Sequence, residues 1–123
     1  MKTEIIINPF YSYLKDFVNQ IPNSFKWTGQ VLHTGRNEVK LLNDNGFPLV
    51  VKYYKKITFI NRIIYATFRK SKARRAYENS KFLLMKDIST PQPIAYINIY
   101  KYGMLYQCYY ISVFTFYKPL KEL

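Results

Sequence analysis

Acidic residues are scarce in this chain: 7 Asp and Glu stand against 19 Lys and Arg, a formal net charge of +12 over 123 residues. Such an excess attracts polyanions, whether nucleic acid, anionic lipid head groups or phosphorylated sugars. Cysteine is nearly absent. Cys108 alone excludes an intrachain disulfide, has no second thiol to share a zinc ion, and fits a reduced, intracellular setting. The opening residues Met1-Lys2-Thr3-Glu4 lack the charged-then-apolar layout of a signal peptide. The longest uncharged run, Tyr102 to Tyr117, is too short to span a bilayer and is interrupted by Gly103, Gln107 and Ser112, so it reads as strand. His33 is the sole histidine and has no Ser, Cys or Asp arrangement around it, which makes it a strand-end residue rather than a catalyst. Nothing resembles a metal site.

Aromatic residues are abundant. Apolar residues make up 49% of the chain and aromatics 19%, too much for a disordered protein, and the 13 Tyr and 9 Phe favour strands. The length allows one domain with one core of modest size.

Pro9 to Gln20 reads as a short helix with Pro9 in its first turn, ended by Ile21-Pro22-Asn23, so that residues 1–23 form a helical extension. Trp27–His33, Glu38–Leu42 and Phe47–Tyr54 read as three antiparallel strands, the last two joined by the turn Asn43-Asp44-Asn45-Gly46. Ile57 to Phe68 carries helical periodicity. A second helix capped by Ser71 runs to about Lys86, with Glu78, Phe82 and Met85 on one stripe expected to face the sheet. After the break Ser89-Thr90-Pro91-Gln92-Pro93, Ile94–Tyr100 and Leu105–Phe116 form a hairpin around Tyr102-Gly103. The expected fold class is α+β: a five-stranded antiparallel sheet with helices packed on it, forming one domain over residues 24–123 beyond the extension.

Lys52 closes the apolar run Leu49-Val50-Val51, which places it on a strand buried on one face, where a charge needs a partner or a ligand. No acidic residue lies between Asp44 and Glu78, so Glu78 is the natural partner. The rival reading pairs Glu78 with Arg74, Arg75 or Lys81 at helical spacing, a surface contact of little energetic weight. From Lys52 to Arg75 there are nine basic residues and no acidic one. Within that block Arg62, Arg69, Lys70, Lys72, Arg74 and Arg75 are expected to form an exposed surface for an anionic membrane or glycolipid. Cys108, sharing its face with Tyr106 and Tyr110, reads as core, and for Trp27 core packing is favoured over a stacking platform. Asp16, Asp44 and Asp87 sit in helix, turn and loop contexts that explain them without catalysis.

Four blocks follow one another in the chain: Gly35-Arg36-Asn37-Glu38-Val39-Lys40, Leu49-Val50-Val51-Lys52, Phe68-Arg69-Lys70-Ser71-Lys72-Ala73, and Thr90-Pro91-Gln92-Pro93-Ile94-Ala95-Tyr96. Together they resemble the amino-terminal part of the lipopolysaccharide kinase family (Kdo/WaaP type), whose fold is related to protein kinases. The likeness covers roughly Gly29 to Leu123. It implies an ATP-binding lobe in which Lys52 holds the nucleotide phosphates, Glu78 is its helical ion-pair partner, and Gly35 and Arg36 lie in the loop over the phosphates. Thr115, Phe116 and Tyr117 would form the hinge against adenine. ATP and Mg2+ are the implied cofactors. The implied partners are a carboxy-terminal lobe and an anionic glycolipid at the cytoplasmic face of the inner membrane, where the intact family phosphorylates a sugar hydroxyl. A G-x-G-x-x-G loop is absent, and no residue matches the catalytic-loop Asp and Asn or the metal-binding Asp. The expectation is therefore a lobe inactive in phosphoryl transfer by itself.

Two other functions compete. Basic charge interleaved with aromatics in Lys52-Tyr53-Tyr54-Lys55-Lys56 and Tyr100-Lys101-Tyr102 suits a nucleic-acid-binding module. A truncated, self-associating scaffold is the third reading.

Overall fold

The computed structural model describes residues 2–35, 37–54, 70–88, 90–102 and 104–114. Six antiparallel strands, β1 (Lys2–Ile7), β2 (Gln30–His33), β3 (Asn37–Asp44), β4 (Phe47–Tyr54), β5 (Pro93–Lys101) and β6 (Met104–Val113), form one sheet in the order β1-β5-β6-β4-β3-β2. A 3-10 turn (Pro9–Leu14) runs into α1 (Lys15–Ser24), and α2 (Lys72–Met85) lies between β4 and β5 in sequence. The α+β class and the antiparallel sheet are as expected. The helix expected over Ile57–Phe68 lies outside the described residues.

Among the described residues the sheet has six strands rather than five. Thr3 and Ile5-Ile6-Ile7 supply β-branched residues, and β1 pairs with β5 from Lys2↔Tyr100 to Ile7↔Ala95. β5 is buried along most of its length, so a neighbour on each side is what its backbone requires. The helical extension therefore begins with a strand. It then divides: Asn8 caps the 3-10 turn by accepting the Phe10 N–H, and Tyr11 departs from helical geometry before α1 starts. Pro22 does not end α1. The helix loses one hydrogen bond there but continues, because Ile21 and Phe25, on either side, are both anchored in the core.

Strand pleating assigns each residue to a face. On the first face Leu49 and Val51 of β4, Ile97 of β5 and Tyr109 and Ile111 of β6 pack under Leu14, Val18, Ile21 and Phe25. On the second, Tyr54, Tyr96 and Cys108 pack under Ala73 and Tyr77 of α2. The sheet is thus sandwiched between the amino-terminal helices and α2. β2 starts three residues later than expected, and Trp27 is 83% exposed rather than core. It lies in the turn after α1, its N–H bonded to the Ser24 carbonyl. Gly29, at φ +88, then brings the chain so close to Leu42 and the Leu41 carbonyl that a Cβ would meet both at under 3.0 Å.

Candidate functional site

β4 displays Lys52 on the face that carries α2. Lys52 lies opposite Val39 of β3 and Tyr110 of β6, and its ammonium sits 5.1 Å from the centroid of the Tyr54 ring. Val39, Leu41 and Val50, on the same face, are half-buried. Tyr54 is buried, and burial drives its phenol well above the usual range against the opposing charge of Arg75. Burial also raises Tyr110, whose hydroxyl pairs with Ser80 at 2.9 Å and is partly offset by that bond. Among the described residues the lysine thus stands beside neutral rings and apolar side chains.

Glu78 is elsewhere. Its carboxylate accepts from Lys70 at 2.8 Å and from Arg74 Nε at 3.0 Å, and these two bonds hold it below the usual carboxylate range. Among the described residues no ion pair joins it to Lys52; the helical-spacing partner Arg74 is the one realised. The helix phase explains this. Ala73, Tyr77 and Ser80 face the sheet, while Phe82 and Met85, expected on the packed stripe, are 57% and 81% exposed. Glu78 shares the flank that overlooks β5 and β1, where Tyr96 feels the charges of Glu4, Arg74 and Glu78. β6 separates β5 from β4. Two strand spacings, roughly 10 Å, therefore lie between the strand beneath Glu78 and the strand of Lys52.

A polar staple fixes the start of α2. The buried Ser71 hydroxyl accepts the Arg74 N–H at 3.1 Å as N-cap and donates to Asn98 Oδ1 at 2.8 Å. Asn98, also buried, donates to Glu4 of β1 at 3.1 Å. Beside them Cys108 accepts the Ala73 N–H at 3.3 Å, and burial pushes its thiol up to about 11. Cys108 is core, as expected. The Ser71 cap was legible in the sequence; Asn98 was missed, although a lone amide between Ile97 and Ile99 is a signal of a buried hydrogen bond. Lys40 was missed as well. Its ammonium is buried over the Phe25 ring and donates to the Phe25 carbonyl, where a cation suits the end of α1.

Gly35 lies in the bend after β2, beside His33. Arg36, Arg62, Arg69, Thr115, Phe116 and Tyr117 lie outside the described residues. Of the remaining basic cluster, Lys70 and Lys72 are exposed and Arg74 and Arg75 half-buried. The described part of the expected surface is thus only partly exposed, and Lys70 and Arg74 are bonded to Glu78. Among the described residues no group of His, Cys, Asp or Glu side chains is placed to hold a metal ion, and no helix is long and apolar enough to cross a membrane. Comparison of the chain with protein-family models, with curated proteins and with solved structures found no match.

Proposed function

We propose that this chain is the ATP-binding lobe of a protein-kinase-like fold of the lipopolysaccharide kinase type, with Lys52 holding the nucleotide phosphates. One observation carries this reading: Lys52 stands on the third strand of the meander β2-β3-β4, on the sheet face that α2 covers, with β6 returning beside it. Leu49 lies opposite Val113, and the Phe114 N–H bonds the Pro48 carbonyl, so β6 ends beside the entry to β4. An adenine held there would lie over Val50 and Leu41, with its phosphates directed along β4 toward Lys52. Gly35, in the bend after β2, would belong to the phosphate end.

The lysine contributes a point charge and three donors on a half-buried floor, where phosphate oxygens replace the water it would otherwise bind. Mg2+ would travel with the nucleotide and take its protein ligands from a carboxy-terminal lobe. Glu78 would assist Lys52 only if α2 turned about its axis, so binding in the described arrangement is assigned to Lys52 without it. Transfer to a sugar hydroxyl belongs to the intact family. Lys70 and Lys72, on the exposed start of α2, suit the anionic glycolipid or inner-membrane surface where that acceptor would lie.

Calorimetric titration with MgATP tests the reading. Saturable binding that Lys52→Met weakens about tenfold or more, the loss of one charged hydrogen bond, with an unchanged unfolding midpoint, is the expected result. A folded Lys52→Met variant binding MgATP as tightly as the parent overturns it.

A further inference from the structure

Two stretches interleave basic and aromatic residues, and the fold treats them differently. In Lys52-Tyr53-Tyr54, Tyr53 packs against the aliphatic core and Tyr54 is buried under α2, so neither ring is free to stack. At the end of the β5–β6 hairpin, Tyr102 is 87% exposed and Tyr106 40% exposed. The Lys101 ammonium lies 5.6 Å from the Tyr102 centroid and 5.3 Å from that of Tyr106. These three residues, with Met104 and Leu105, line a depression of about 190 Å3. Tyr102 has φ +54, a left-handed conformation uncommon outside glycine, at the residue that follows β5.

The chemistry of the depression selects its occupant. Exposed ring faces over an apolar floor accept a flat heterocycle, and an ammonium beside the rings is in reach of a phosphate attached to it. A cationic ligand is disfavoured, because the Lys101 ammonium already stands beside both rings and the chain carries +12. Bases in a duplex are stacked on one another, whereas those of a single strand can be splayed onto aromatic side chains. A concave site of this size suits an inserted base better than a bilayer surface, which calls for a protruding anchor. We propose that the β5–β6 hairpin end binds single-stranded nucleic acid, one base stacking on Tyr102 while Lys101 meets an adjacent phosphate. This site is separate from Lys52. Tyr110, opposite Lys52, lies six residues along β6 from Met104, about 20 Å at the strand rise.

Fluorescence anisotropy of a labelled deoxythymidine 12-mer at low salt tests the proposal. Tyr102→Ala is expected to weaken binding about tenfold, within the range for losing one stacked base, and Tyr102→Phe to retain it, because the ring face does the stacking. Lys101→Ala is expected to reduce the slope of log K against log salt by about 0.7, one phosphate contact on a single strand. Saturating MgATP is expected to leave the oligonucleotide bound. Undiminished binding by Tyr102→Ala, equal affinity for a duplex 12-mer, or displacement by MgATP would overturn the proposal. So would an oligonucleotide that fails to bind while phosphatidylserine vesicles bind in a Tyr102-dependent way, a result that assigns the hairpin end to a membrane.

Discussion

On the face covered by the amino-terminal helices, Leu14, Val18 and Ile21 interlock with Leu49, Val51, Ile97 and Ile111, and aromatic rings close the end, with Tyr53 stacked on Tyr109 at 4.8 Å. On the face covered by α2 the apolar contacts shrink to Tyr54, Ala73, Tyr77, Tyr96 and Cys108. Directional bonds supplement them: Ser71 to Asn98, Asn98 to Glu4, and Ser80 to Tyr110. Non-directional burial scales with area and supplies stability. Directional bonds contribute less net energy but fix one helix orientation, because a mispaired buried polar group is costly. The first face therefore holds the fold together. The second sets where α2 sits and which side chains, Lys52 among them, remain half-buried beside it.

Four measurements can break or sharpen that contrast. The largest effect is expected on the first face: Ile21→Ala should cost about 2–5 kcal/mol in urea unfolding, as for other buried large-to-small changes. A loss below 1 kcal/mol would mean that α1 is not part of the stabilising core. Next, Lys52→Met should leave unfolding nearly unchanged while weakening MgATP binding about tenfold or more, so function and stability separate on the second face. Third, Ser71→Ala should cost about 1–2 kcal/mol, a lost cap plus an amide oxygen left without its donor. Hydrogen exchange should show the loss concentrated in the first turn of α2; uniform weakening across the sheet would contradict the staple. The smallest effect belongs to Glu78→Gln, below about 1 kcal/mol at neutral pH because the pair with Lys70 and Arg74 is exposed. Its sign with pH is fixed. The folded carboxyl titrates below its ordinary 4.5, so the parent's advantage is complete above that value and fades as the pH falls through the lower folded one. An advantage that grew on acidification would show that Glu78 is not held by cations.

Much of the sheet was legible in the chain. The apolar run Phe47–Val51, the Asn45-Gly46 turn and the long uncharged run after Tyr102 mark β3, β4 and β6 within a few residues, and Ser71 marks the start of α2. Other features were not. Among the described residues β1 pairs with β5 alone, so its identity depends on β5 being there to receive it. Phe82 and Met85 sit on an apolar stripe with Glu78, and spacing alone favours that stripe as the buried one. What overrides it is Tyr77, whose ring meets Tyr96 at 5.3 Å, and Ser80, whose hydroxyl finds Tyr110.

The sequence by itself determined the charge imbalance, the antiparallel meander, the lone buried thiol and the position of Lys52 on the meander's third strand, because these follow from composition and from the order of turn signals and apolar runs along the chain. Only the tertiary structure decided the partner of Glu78, the exposure of Trp27 and which aromatic–basic stretch keeps its rings in solvent. Those outcomes depend on the rotation of a helix about its own axis and on the strand that lies next to it, and neither is encoded in the spacing of residues along one segment.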